Sequence, residues 1–176
     1  MTKIIRNPFP ALTPVPAVLV TCGVPGERPN IIAIAWTGIV CGKPLMMSVS
    51  VRPATFSHHL LKEHPEFVIN IPTAEMVEVV DFCGSKSGRE VDKFAALGLT
   101  AAPASQVSVP LIAECPINIE CRTQQSLVLG LHEMFIGEVL AVQVDEKILD
   151  EKGRVTSARF NPLAYFPPTG EMRGLK

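Results

Sequence analysis

No run of apolar residues in this sequence approaches the roughly 20 needed to cross a bilayer as a helix. The longest, "IIAIAW" at residues 31–36, is far shorter. Net charge is nearly absent, with 16 basic against 17 acidic residues leaving −1. Nothing in that balance draws in nucleic acid or an anionic membrane, and no basic run interleaved with aromatics is present. C-x-x-C pairs, a G-x-G-x-x-G turn and a P-loop are also missing. Zinc ribbons, dinucleotide-binding βαβ units and Walker-type phosphate sites are therefore set aside. The opening residues, Met1 to Ile4 followed by "NPFPALTPVPAV", lack the basic start and apolar stretch of a secretory leader. The expected setting is the cytoplasm.

The five cysteines, Cys22, Cys41, Cys83, Cys115 and Cys121, are odd in number and lack metal-ligand spacing, which argues against a disulfide framework. They read as small buried hydrophobes in a reducing compartment. Cys83, beside Gly84 at an expected helix end, is the one placed where a thiol gains reactivity. What the chain does have is apolar content, 47% over 176 residues. That is enough for one domain over residues 1–176 with a substantial core.

Strand-like runs come first: "PAVLVTC" at 16–22, "IIAIAWT" at 31–37 and "LMMSVSV" at 45–51, the last two joined by "VCGKP". Helical spacing follows in "ATFSHHLLKEH" at 54–64, opened by Pro53 and closed by Pro65. "EFVINIP" reverts to a strand. "AEMVEVVDFCG" and "EVDKFAALG" read as helices stopping at Gly84 and Gly98. Residues 99–114 read as a loop. In "INIECR", Ile117, Ile119 and Cys121 are expected inward, with Asn118, Glu120 and Arg122 outward. "QSLVLG", "MFIGEVLAVQV" and "ARFNPLAYF" supply further strands. The order predicts a mainly β protein, an antiparallel Greek-key-like barrel with inserted helices.

Two clusters carry chemistry. "SVRPAT" brings Ser50, Arg52 and Thr55 to a strand end and a helix start, where free N–H groups point outward. "CGSKSGR" brings Ser85, Lys86 and Ser87 with two glycines, and Lys93 follows near the next helix start. Hydroxyls, exposed amides and cations form the donor set of a phosphate monoester site. Trp36 and Thr37, before Gly38, offer an aromatic and exposed backbone against which a flat ring could lie. His58, His59 and His64 lack metal spacing and read as solvated surface residues. No triad and no pair of catalytic carboxylates is present.

With these segments in this order, together with "RPNIIAIAWTGIVCGKPLMMSVSVRPATFS", "FCGSKSGREVDKF" and "GLHEMFIGEV", the chain resembles the flavin reductase-like family of FMN-binding split barrels, its flavoredoxin-like branch most. The resemblance implies a homodimer of split β-barrels with FMN near the interface. It implies Ala35, Trp36 and Thr37 along the isoalloxazine, and Ser50, Val51 and Arg52 along the ring and ribityl chain. Thr55, Ser85, Lys86, Ser87 and Lys93 would hold the phosphate. It further implies hydride transfer from NADH or NADPH, or electron exchange with a redox partner protein, with a non-catalytic flavin-binding module as the remaining alternative. Backbone N–H groups from Ser50 to Arg52 are expected at the pyrimidine edge. Relatives often read Gly-Asp-His where this chain has Gly130-Leu131-His132. The histidine that would contact nicotinamide is kept, and the carboxylate beside it is not.

Overall fold

The computed structural model describes residues 1–156 and 158–175. Twelve strands and three helices occur among them, in the order β1 (Val15–Pro16), β2 (Val18–Cys22), β3 (Asn30–Ile34), β4 (Thr37–Gly42), β5 (Leu45–Val51), α1 (Phe56–Glu63), β6 (Glu66–Ile71), α2 (Val77–Ser85), α3 (Lys93–Leu97), β7 (Ala101–Ala102), β8 (Leu111–Ile112), β9 (Ile117–Leu129), β10 (His132–Val144), β11 (Leu163–Phe166) and β12 (Glu171–Gly174). Every strand pairing is antiparallel.

The seven-stranded sheet runs β3-β2-β6-β9-β10-β5-β4. Its edges are β3 and β4, and only Ala35 and Trp36 separate them in sequence. Two residues cannot span a flat sheet of seven strands spaced about 4.8 Å apart. The sheet must therefore curl until its edges meet, which makes it a barrel with a seam at residues 35–36. The Ser50 N–H donates to the Trp36 carbonyl at 2.9 Å, one step beyond the β4–β5 register, and so ties the seam residue to β5. β1, β11 and β12 form a second sheet, and β7 pairs with β8.

Alternation explains the continuous apolar run of β2. Val18, Val20 and Cys22 face the barrel interior with Ile34, Val49, Val51, Phe67, Ile69 and Phe135, and Leu60 and Leu61 of α1 join the same cluster. Leu19 points the other way, into a second core with Ile31, Val80, Cys83 and Phe94, where α2 and α3 cover the outer face. Both faces of the strand are covered, so it reads as all apolar. Gly137 on β10 is where two walls touch: a Cβ there would lie 2.7 Å from Phe67 Cζ.

Three expectations change. "VCGKP" is not merely a linker: residues 37–42 form β4, which pairs with β5 through a tight Lys43-Pro44 turn. "INIECR" and "QSLVLG" are one 13-residue strand, β9, turning into β10 at Gly130, where φ is +57°. The third concerns Asn118 and Glu120, which point away from the barrel interior but are buried, not solvated. The segment 99–114 folds over them, contributing β7, β8 and the buried Val109 and Leu111. Glu120 accepts the Ser105 and Gln106 N–H groups at 3.0 and 2.6 Å. The Asn118 amide donates to Asn70 Oδ1 and to the Ile112 carbonyl.

Candidate functional site

Helix α1 starts where the sequence placed a start. Thr55 is its N-cap, accepting the His58 N–H at 3.3 Å and donating its own hydroxyl proton to the Arg52 carbonyl at 2.9 Å. Thr55 thus closes the turn instead of offering a free proton. The Phe56 and Ser57 amides in the first helical turn lie beyond the reach of intrahelical acceptors. They sit at the positive end of the helix.

Facing that turn is the segment after α2. A cavity of about 230 Å3 lies between them, lined by Thr55, Ser57, Ser85, Lys86, Ser87 and Lys93, with Asn30 and Gly88 at its base. The two clusters that the sequence kept 30 residues apart therefore meet. Arg28 Nη2 donates to the Gly88 carbonyl at 2.8 Å. Arg89 spans the gap, donating to the Ala54 carbonyl and stacking over Phe56 at 5.4 Å. Among the described residues no carboxylate lines this cavity.

Lys93 is the least expected member. It is buried, 3% exposed. Its ammonium donates to the carbonyls of Ile31 at 2.6 Å and Cys83 at 2.8 Å. Burial lowers its pKa, and Cys83 and Cys22 oppose this only in part. An ammonium has three donors, and two are engaged here. A buried cation with a donor in reserve, in a cavity without carboxylates, is stabilised by an anion.

Two further residues escaped the sequence reading. Ser57, in the second position of α1, is 1% exposed. Asn30 Nδ2 donates to its hydroxyl oxygen at 2.8 Å. Since the oxygen accepts there, the Ser57 proton is free to be donated elsewhere. Asn30 also fixes the loop, because a Cβ on Gly88 would fall 2.0 Å from its Oδ1. The one available signal was a polar residue opening an otherwise apolar strand. Ser87 is likewise an acceptor, from the Arg89 N–H at 3.3 Å, which frees its proton too.

The seam holds the remaining residues. Ala35 lines a separate cavity of about 360 Å3 together with Ala33, Gly84, Ser85, Tyr165 and Met172. Trp36 is 42% exposed at the seam, not a core residue. Thr37 donates to the Ser48 carbonyl at 2.7 Å. Val51 is in the barrel core, leaving only its backbone for the site. The Ser50 N–H, expected at a ring edge, is already bound to Trp36. Arg52 is exposed. β10 pairs with β5 at Met134↔Ser50 and Glu133↔Val51, and one more step of that register sets His132 opposite Arg52.

His58 and His64 are not solvated. His58 Nε2 lies 2.7 Å from Glu133, whose carboxylate also accepts from Lys62 and Ser126. His64 Nε2 lies 3.2 Å from Glu66. His59 alone of the three is exposed, beside Glu63. Cys83 is not activated either: burial pushes its thiol up to about 11, Lys93 only partly offsetting this. No group of metal-ligating side chains occurs among the described residues, and none of their helices is long and apolar enough to cross a membrane.

Comparison with known proteins fits this geometry. Residues 11–175 match the family described as the flavin reductase like domain. The chain belongs to that family. Flavoredoxin of Desulfovibrio vulgaris (Miyazaki F) is 34% identical, with a TM-score of 0.93 over 99% of this chain and 94% of that one. An FMN-binding protein from Thermus thermophilus, solved with 1-cyclohex-2-enone, is 26% identical with a TM-score of 0.81 over 99% of this chain and 95% of that one. An uncharacterized protein of Pyrococcus abyssi is 34% identical over 154 residues, 88% of this chain and 87% of its own. The fold is thus mainly β, of the flavin-binding split-barrel kind, and the family's chemistry is flavin-related oxidation and reduction.

Proposed function

We propose that the chain binds FMN, its phosphate held between the first turn of α1 and residues 85–88, and that it is an NAD(P)H-dependent flavin reductase. The observation that carries this is Lys93: a buried ammonium with two carbonyl acceptors, lining a cavity where hydroxyls and free amides converge and no carboxylate enters. The donor set fits a phosphate monoester. Ser57, Ser87 and Lys93 would supply protons to its oxygens and Lys86 its second charge, with Thr55 shaping the turn. Ala35, Trp36 and Thr37 at the seam, with Ser50, Val51 and Arg52 across from them, would border the ring system.

Bound FMN supplies hydride acceptance from nicotinamide. The chain's own task is position and electrostatics: it anchors a dianionic tail, presents the Trp36 face, and brings His132 toward the same strand end as Arg52. The reductant, NADH or NADPH, would enter there. Exposed apolar side chains at β4 (Ile39, Val40) and the β9–β10 turn (Leu127, Val128, Leu129, Leu131) support a homodimer. A cytoplasmic setting agrees with five unpaired cysteines, four of them buried and Cys41 half-buried.

A second reading is an electron carrier that keeps its FMN and exchanges electrons with a redox partner protein. Two observations favour it. The turn before His132 has Leu131 where a carboxylate would charge the ring, and no hydrogen bond to that ring is found among the described residues. The similarity to flavoredoxin extends over nearly the whole chain. Mixing the purified protein with FMN and NADH or NADPH without oxygen separates the readings. Loss of the flavin absorbance supports the reductase. Persistence of the absorbance, with FMN retained through dialysis, supports the carrier. No FMN binding at all overturns both.

A further inference from the structure

Residues 1–14 have no regular structure, and every one of them is exposed. Besides Met1 they carry four large apolar side chains: Ile4 is 74% exposed, Ile5 102%, Phe9 55% and Leu12 77%. The segment is also basic. Lys3 and Arg6 lie in it, and the first acidic residue of the chain is Glu27. Pro8, Pro10 and Pro14 stiffen it. Fully extended proline-rich chain runs about 3.1 Å per residue, so 14 residues reach at most roughly 40 Å, and the Ala11 N–H bonded to the Phe9 carbonyl adds a turn within the arm. Its root is fixed, because Val15 and Pro16 pair with Tyr165 and Ala164.

The surface complementary to this arm lies along α2. A groove of about 470 Å3 is walled by Val77, Phe82 and Met172, with Glu78 and Asp81 at its rim. Glu75 lies three residues before Glu78, in the 3-10 turn (Ala74–Met76) that leads into α2. All three acids are exposed, and among the described residues neither Glu78 nor Asp81 forms an ion pair. Lys86 is the single cation on the rim, at the C-terminal end of the helix. The groove offers apolar walls under an acidic edge; the arm offers apolar side chains interleaved with two cations.

We infer that in the dimer each N-terminal arm crosses to the other subunit and lies in its α2 groove, Ile4, Ile5 and Phe9 against the apolar walls and Lys3 and Arg6 against Glu78 and Asp81. The occupant is a second copy of this chain and not the chain's own arm, because every residue of the arm is exposed and none of them lines the groove of its own subunit. The groove borders the seam cavity through Asp81, Ser85 and Met172, so the arm would also close one side of the site next to Ala35. This inference rests on the homodimer reading and not on the flavin.

The test uses two full-length chains, one carrying Arg6→Cys and the other Asp81→Cys, mixed and treated with a short bis-maleimide. Arm exchange gives a cross-linked pair in the mixture, mapping to the two introduced thiols, and no such link with either chain alone. A chain carrying both substitutions, cross-linked within itself when diluted, overturns the exchange. In parallel, Arg6→Glu should raise the dimer dissociation constant about tenfold, the scale of losing one close charge pair at an interface, and Glu78→Lys with Asp81→Lys should restore it. Sedimentation reads the remaining outcomes. A dimer without the cross-link removes the arm and leaves the dimer reading intact, and a monomer removes both. FMN titration, run alongside, tests the flavin reading independently.

Discussion

The ammonium of Lys93 lies 2.6 Å from the carbonyl oxygen of Ile31, so one buried cation joins the edge strand β3 to the end of α2, where it also holds the Cys83 carbonyl. The lysine is at once a structural tie and a wall of the proposed phosphate cavity. The two roles separate experimentally. Lys93→Met leaves both carbonyls without their donor, and the expected loss of stability is about 1–3 kcal/mol. FMN affinity should fall a further 10- to 100-fold, corresponding to about 1.5–3 kcal/mol for a charged hydrogen bond. Riboflavin, which has no phosphate, should bind nearly as before. Equal losses for the two ligands, by fluorescence titration, would remove Lys93 from the site and leave only the tie.

Ser57 makes a finer prediction. Its oxygen accepts from Asn30, which leaves its proton to be shared between the buried Cys22 sulfur and the cavity. Ser57→Ala should weaken FMN by about 1–2 kcal/mol, a neutral donor to a charged acceptor, and again spare riboflavin. Asn30→Ala should do the same through Ser57 and through the loop at Gly88, while the double variant should lose less than the sum of the two, because the residues act as one unit. Full additivity in that cycle would show that Asn30 does not act through the Ser57 hydroxyl.

How much of this was legible in the sequence depends on how local each signal is. The helix that opens just after Pro53 and the stop at Gly98 with its φ of +64° are decided within a few residues, and they read correctly to within two residues. Glu120 did not. A period of two says which side of a strand a residue takes, not whether another segment covers that side. His58 was misread because its partner, Glu133, is 75 residues away. The barrel seam was invisible because it follows from the pairing order of all seven strands. Thr123 and Gln124, between "INIECR" and "QSLVLG", resembled a break, yet β9 runs through them, with a register shift in its pairing with β10 at that point.

The covered face of Glu120 is itself testable. Its carboxylate binds the amides of Ser105 and Gln106, the Ser105 hydroxyl at 2.9 Å and the Gln143 side chain at 2.8 Å. Glu120→Gln replaces one oxygen by an amide group that must face donors. We expect a loss of about 1–3 kcal/mol, the range for buried donors left unsatisfied. The 99–114 segment should become the first site of limited proteolysis. FMN affinity should be unchanged, since this segment lies outside the phosphate cavity. A variant with wild-type melting would mean that the loop is held by its apolar residues, Val109 and Leu111, alone.

Acid should expose the contribution of the other buried carboxylates. The Ser126 hydroxyl, then Lys62, then His58 hold the Glu133 carboxyl at about 2 against the opposing effect of burial. Burial would raise Glu66, but the Ser108 amide, Arg122, the Ser108 hydroxyl and His64 outweigh it and bring that carboxyl to about 2 as well. A carboxyl depressed in the folded state stabilises it above the ordinary carboxyl pKa, near 4.3. That stabilisation is lost as pH falls from there through the folded value. Melting temperature should therefore hold steady from pH 7 to about pH 5 and drop steeply between about 4.5 and 2. Glu133→Gln should melt lower than the parent at pH 7, with the gap closing as pH approaches 2, because the parent carboxyl is by then protonated. A gap of constant size across that range would show that Glu133 contributes through packing of its side chain and not through its charge.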